Sequence, residues 1–302
     1  MSSTPIEVAV FGSLNMDFVV RVPRAPEAGE TLVGLALTNF CGGKGANQAV
    51  ACARMGVRVG MIGCVGADDP GARLRAALAA DDVGTAHVRV AGSTSGVAVI
   101  LVDDAAENRI VIVPGANAEV GVDDADAAAA LLRAAQVLVL QLEVPMAAVV
   151  RAATIAHAAG RQVVLNPAPA RELPAALWSV IDALVLNETE ATTLTGDVVD
   201  DVASAMQAAV KLQGMGPATV VVTLGGDGAV LADLRAPRHF PAAKVDAVDT
   251  TAAGDTFIGA YVAALVRGSS RDAAVELAIR AAGLCVTRPG AQESIPRLHE
   301  LG

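Results

Sequence analysis

The chain has 302 residues, 53% hydrophobic but only 2% aromatic, and carries a formal net charge of −10 without a run of lysine or arginine. That balance argues against a nucleic-acid or anionic-membrane surface and leaves any anionic ligand to local amides and a few placed cations. Twenty-nine glycines between alternating strand-like and helix-like runs fit a single α/β domain with an alanine-rich aliphatic core.

The stretch from Met1 to Glu7 lacks the basic and apolar regions of a signal peptide. No apolar run reaches the roughly 18 residues a membrane span needs. Cys41, Cys52, Cys64 and Cys285 show neither a CxxC pair nor metal-ligand spacing, and read as reduced thiols of a cytoplasmic protein.

Val8 to Phe11 is a short buried strand ending at Gly12, followed by the polar Ser13, Asn15 and Asp17. From Phe18 to about Phe40 the chain holds Pro23, Pro26 and Gly29, strand-like pieces such as Thr31-Leu32-Val33, and no helical period. This predicts an extended excursion from the main sheet. Cys41 to Gln48 opens a helix reaching about Gly56. Val59 to Ile62 is a strand, and Pro70 to Ala80 a helix started near Asp68 and Asp69. Gly96 to Val102 and Arg109 to Val113 form a hairpin around an acidic loop, Asp103 to Asn108, which we expect to pair with the Thr31 region as a small second sheet.

From residue 123 the rhythm is βαβ. A helix over Asp123 to Ala135 precedes the strand Val137 to Leu140, and a helix over Pro145 to Ala159 precedes Val163 to Leu165. The strand Ala183 to Leu186 follows, then a helix from about Asp200 to Gln213 with Val202, Met206 and Val210 at fourfold spacing. Val220 to Thr223 leads through Gly225-Gly226-Asp227-Gly228 to a hairpin partner, Ala229 to Leu231. Two helices close the chain, the last over about Arg271 to Val286.

In open α/β sheets ligands bind beyond the carboxyl ends of the parallel strands. Those ends carry Asn15 and Asp17, Glu143, Asn166, Asn187 and Glu190, and Thr223. Gly42-Gly43-Lys44-Gly45 is not a Walker A loop, and Gly12-Ser13-Leu14 is not a GxGxxG turn, which argues against a nicotinamide cofactor. Glycines at a helix start let a ligand approach the backbone, and Asn47 one turn on suits a polyhydroxy ligand. Gly225 to Gly228 fits either a ligand loop or a plain hairpin turn. In Asp249-Thr250-Thr251-Ala252-Ala253-Gly254-Asp255-Thr256-Phe257 a helix begins near Gly254, with Phe257, Tyr261 and Leu265 on one face. The amides of Ala252 to Asp255 then form an anion-attracting end. Asp255 there either compensates the dipole or serves as a base that activates a hydroxyl.

Together these segments resemble the ribokinase-like carbohydrate kinases, over essentially the whole chain. Gly42 to Ala49, continuing through Gly56 to Gly66, and Asp249 to Phe257 carry the match. Asn166-Pro167-Ala168-Pro169, Asn187-Glu188-Thr189-Glu190 and Thr287 to Gln292 support it. The resemblance implies a doubly wound, mostly parallel α/β sheet flanked by helices, with a small β-sheet lid from about 13–40 and 94–114. It also implies ATP-dependent phosphorylation of the 5-hydroxyl of D-ribose, with 2-deoxyribose or a nucleoside as alternative acceptors. A non-catalytic sugar or nucleotide sensor is the alternative from another class.

By resemblance, Asn15, Asp17, Gly42, Gly43, Lys44, Asn47, Glu143 and Asp255 hold the sugar. Asp255 is the base, and the Ala252, Ala253, Gly254 and Asp255 amides form the phosphoryl anion hole. Asn187, Thr223, Leu224, Gly225, Gly226, Asp227, Gly228 and Gly254 line the ATP site, and Glu190 positions Mg2+ through water. Asp249, Thr251, Cys285, Arg288, Gly290 and Ser294 hold a K+ ion, and the lid pairs two subunits. Ile279 stands where the family often places a polar residue near the adenine, and Ala252 where glycine is frequent.

Overall fold

The computed structural model describes residues 5–105 and 108–302. Met1 to Thr4, and Ala106 and Glu107 of the acidic loop, lie outside the described residues. In chain order the first strands are β1 (Val8–Phe11), β2 (Asn15–Arg21), β3 (Ala36–Gly42), β4 (Val59–Val65), β5 (Gly84–Val90), β6 (Gly96–Val102) and β7 (Asn108–Val113). They are followed by β8 (Val137–Leu140), β9 (Gln162–Leu165), β10 (Ala183–Asn187), β11 (Thr219–Thr223), β12 (Ala229–Ala232) and β13 (Arg238–Phe240). The helices are α1 (Lys44–Arg54), α2 (Asp69–Ala80), α3 (Val122–Ala127), α4 (Ala129–Ala134) and α5 (Met146–Ala158). After them come α6 (Ala175–Trp178), α7 (Glu188–Thr195), α8 (Val202–Gln213), α9 (Ala253–Val266) and α10 (Arg271–Cys285).

The unbroken apolar runs become interior strands, because a parallel strand covered on both faces has no use for polar alternation. They build one sheet in the order β13-β12-β11-β10-β9-β8-β1-β4-β5. Only β12 and β13, at one edge, run antiparallel to their neighbours. Alternate residues feed two cores. Ala9 and Phe11 pack with Leu132, Val149 and Leu212 on one side; Val8 and Val10 pack with Val50, Leu74 and Tyr261 on the other. The strand order reverses between β1, which is followed outward by β4, and β8, which is followed outward by β9. That reversal opens a crevice at the carboxyl ends of β1 and β8.

A second sheet, in the order β3-β2-β6-β7, stands apart from the first. Here the structure corrects one expectation. The hairpin of β6 and β7 joins β2, in parallel, rather than the Thr31 region, which forms no strand. Thr31 to Leu35 is instead part of an exposed connection after Pro23, Pro26 and Gly29, tied back where the Leu35 amide donates to the Arg21 carbonyl at 2.7 Å.

The helix expected over Asp123 to Ala135 is two short ones, α3 and α4, joined at Ala128. Of the fourfold stripe on α8, Val210 is exposed; that helix buries Ala205, Ala208, Ala209 and Leu212. β5, β13, α6 and α7 had no counterpart among the expected elements.

Candidate active site

Two helices begin at the crevice, and their ends differ. α1 starts after Gly43, whose φ of 89° and close backbone neighbours leave no room for a Cβ, which would lie 2.6 Å from the Asn15 amide nitrogen. Its first amides are satisfied inside the protein. Lys44 N donates to Glu143 Oε2 at 3.0 Å, Gly45 N to Ser13 Oγ at 3.3 Å and Ala46 N to the Ser13 carbonyl at 2.9 Å. Ser13 Oγ also donates to Glu143 Oε2. A carboxylate already sits at this helix end, so it is not an open anion site.

α9 is the reverse case. Ala252, its N-cap, adopts φ 60°, the left-handed region that glycine enters without cost. Ala253 N donates to the Thr250 carbonyl at 3.3 Å and Thr256 N to the Ala252 carbonyl at 2.8 Å. The amides of Gly254 and Asp255 have no acceptor among the described residues. Nothing lies within 4 Å of where a Gly254 Cβ would stand. This end is therefore open to an anion.

Asp255 is 7% exposed. Its Oδ2 accepts from Asn47 Nδ2 at 3.0 Å and its Oδ1 from Gln48 Nε2 at 2.9 Å, both from α1. α1 and α9 come close enough for this because Gly259 lies against Ala51, where a Cβ would fall 2.3 Å from the Ala51 Cβ. Asp255 does not cap its own helix through its side chain. The choice left open by the sequence thus turns towards a carboxylate presented to the crevice.

The charges nearby are mutually dependent. Burial pushes the Asp17 carboxyl up to about 7, reinforced by Glu143, Asp255 and Glu293. For Lys44, burial pulls the ammonium down, but Asp255, Glu143 and Glu190 outweigh it and hold its pKa above the usual value. Burial also raises Glu190, against hydrogen bonding from the Asn187 amide and the charge of Lys44. Asn15 Oδ1 accepts from Asn117 Nδ2 at 2.7 Å, which fixes its side chain at the root of β2.

Two adjoining clefts meet at α9. The smaller is lined by Lys44, Asn166, Asn187, Glu190, Ala252 and Asp255. The larger, about 760 Å3, runs between Gly226, Lys244, Phe257 and Ile279. Thr223, Thr250, Ala253 and Gly254 belong to both. This volume suits a small-molecule site.

Gly225, Gly226, Asp227 and Gly228 line the larger cleft, so the glycine turn is both hairpin and cleft wall. Leu224 does not present its side chain there, because it is buried in the core. Asn187 and Glu190 form the capping box of α7: Glu190 N donates to Asn187 Oδ1 at 2.8 Å, and Asn187 N to Glu190 Oε2 at 3.0 Å. Glu190 Oε1 is left unbonded among the described residues. Lys44, expected against the sugar, lines the smaller cleft with Gly254.

The loop before α9 is clasped by Asp249, which accepts from Thr251 N and Gly290 N, each at 2.9 Å. Cys285 Sγ lies 3.1 Å from Ser294 Oγ and 3.8 Å from the Thr251 carbonyl oxygen. The Arg288 guanidinium turns away to Glu300 at 2.7 Å. Sequence reasoning missed the roles of Ser13, Gln48, Asn117 and Gln141. Gln48 lay inside a quoted motif, but its partners are remote in the chain.

A buried carboxylate beside an open helix end, flanked by polar side chains and a cleft of about 760 Å3, fits the layout of a phosphotransferase. The chain belongs to the pfkB family of carbohydrate kinases, whose family model matches residues 5–298. It is therefore a kinase with a sugar hydroxyl as acceptor. It is 42% identical to a ribokinase of Haemophilus influenzae over 97% of this chain and 96% of that one. It is 38% identical to a deoxyribokinase of Salmonella typhi over 98% and 97%. Its fold matches the structure of Arabidopsis thaliana ribokinase complexed with ribose and ATP, with a TM-score of 0.92 and 32% identity over 99% of this chain and 98% of that one.

Proposed function

We propose that this chain is a ribokinase, transferring the γ-phosphoryl group of ATP to the 5-hydroxyl of D-ribose to give D-ribose 5-phosphate and ADP. The observation that carries the reading is Asp255 itself: a carboxylate oriented by Asn47 and Gln48 at a helix end whose Gly254 and Asp255 amides are open. Asp255 takes the proton of the attacking hydroxyl, while those amides and Lys44 offset charge on the transferred group. Asn15, Asp17, Asn47, Glu143 and the Gly42–Gly43 backbone hold the sugar hydroxyls. Thr223 and Gly225 to Gly228 line the side where ATP binds.

The donor set fits the expected ions. Glu190 offers one free carboxylate oxygen to a metal-bound water, as suits Mg2+ carried chiefly by phosphate oxygens. Mg2+ supplies charge neutralisation on those phosphates. Asp249, Thr251, Cys285, Arg288, Gly290 and Ser294 would hold a weakly hydrated K+ beside the loop before α9. Asp249 already clasps that loop through the Thr251 and Gly290 amides, and the ion would supply positive charge there. The apolar lid strands support a homodimer, and four free thiols and the absence of a spanning helix among the described residues accord with a cytoplasmic setting.

The test is ATP-dependent phosphorylation of a panel containing ribose, 2-deoxyribose, fructose and nucleosides, with and without K+. Ribose should react fastest. Preference for 2-deoxyribose transfers the reading to the deoxyribokinase-like alternative, and no turnover of any acceptor leaves only a sensor. Asp255→Asn should bind both ligands yet lose about 100-fold or more in kcat; near-normal turnover removes the base.

A further inference from the structure

The contacts behind Asp255 reach further than the groups that face the ligands. Gln48, fully buried on α1, donates from Nε2 to Asp255 Oδ1 at 2.9 Å and to Asn166 Oδ1 at 3.2 Å. Its Oε1 accepts from Gln141 Nε2 at 2.6 Å. These three bonds fix the amide: reversed, its oxygen would face a carboxylate and a carbonyl oxygen. Gln141, fully buried just past β8, has its own seat. A Cβ at Gly12 would fall 1.9 Å from Gln141 Oε1, so the glycine ending β1 makes the space for it. From Asn166 the network continues to the Val185 carbonyl at 3.0 Å and, at 3.5 Å, to Glu190 Oε2.

A carboxylate turns freely about its last side-chain torsion, which has broad minima. A general base must nevertheless stand within hydrogen-bond reach of one particular hydroxyl. One amide on each oxygen of Asp255 removes that freedom. We propose that Gln48, braced by Gln141, is a positioning residue: it sets the plane of the Asp255 carboxylate and links it through Asn166 to Glu190. The proposal rests on Asp255 being the base. Removing the Gln48 N–H donor frees the carboxylate plane, so turnover falls while binding of the sugar is kept.

The experiment compares Gln48→Met and Gln141→Met with the wild-type chain, using ribose, ATP and Mg2+. Methionine keeps the length and volume and removes the amide. Gln48→Met should lower kcat about 10- to 100-fold while holding the sugar KM within about twofold. Gln141→Met, which does not touch Asp255, should lower kcat by less, with the sugar KM likewise held. A loss of thermal stability with kcat unchanged, or a sugar KM that rises in step with the fall in kcat, overturns the proposal. If Gln48→Met does not fold, Gln141→Met alone decides by the same criterion. A wild-type chain that phosphorylates no acceptor removes the base, and the proposal with it; an active wild type with unmoved variants removes only the positioning role.

Discussion

Asp17 shows how single residues at this site trade stability for binding. Its carboxyl is buried beside Glu143, Asp255 and Glu293 and titrates at about 7, against 3.8 for an ordinary aspartate. Between those values the folded chain holds a proton that the unfolded chain has released. Its contribution to stability is therefore full below the lower value and falls as pH rises through the upper one. Asp17→Asn removes this dependence. In thermal melts without sugar, the variant should gain on the wild type as pH rises, by up to a few kcal/mol at about pH 8. A sugar whose hydroxyls donate to the ionised carboxylate must displace that proton at low pH, so the wild-type KM for sugar should rise as pH falls below about 7. Parallel melting curves for the two proteins would remove the raised titration.

At the scale of elements, the site depends on the crossing of α1 and α9. Gly259 and Gly254 lie on the same helix, yet substitution should act on them in opposite ways. A Cβ at Gly259 meets the Ala51 Cβ at 2.3 Å and backbone atoms of Ala51 and Cys52 at 2.8 Å, so Gly259→Ala has to separate the helices. We expect a loss of about 1–3 kcal/mol in stability. Turnover should fall about 10- to 100-fold as Asn47 and Gln48 draw back from Asp255. A Cβ at Gly254 meets nothing, so Gly254→Ala should melt within about 0.5 kcal/mol of the wild type while losing turnover, because its methyl group enters the anion space. Denaturation and steady-state kinetics on both variants separate the two roles. The open helix end was legible in the sequence because Asp249 to Phe257 is contiguous and the helix start follows from its pattern. The difference between the two glycine-rich starts was not. It depends on Glu143, 99 residues beyond Lys44, occupying the end of α1. Gln48 and Gln141 escaped for the same reason, being 93 residues apart. The sheet was legible from its apolar runs, whereas β5 is largely exposed, with Val88 its one buried residue, and has no run to read.

At the scale of the molecule, the lid is spliced directly into the site. β2 carries Asn15 and Asp17 at its root, and β3 ends at Gly42, just before α1, so a shift of the small sheet moves the residues proposed to hold the sugar. Its distal strands leave several large apolar side chains exposed. Leu37 and Val111 are each 63% exposed on one face, while Ile110 and Ile112, 53% and 50% exposed, share the face of Asp17. Exposed apolar side chains on both faces of so small a sheet make it a candidate contact surface. A second copy of the lid is the partner best matched to it, since it brings equally apolar strands and the two-fold arrangement closes on itself. Light scattering should therefore give a dimer. Ile110 and Val111 are successive strand residues and point to opposite faces, so Ile110→Glu with Val111→Glu places a charge on both. The double variant should be monomeric, with a folded main domain and a raised sugar KM, because an unsupported lid holds Asn15 and Asp17 less firmly. A wild-type monomer, or a dimeric double variant, would place the contact elsewhere.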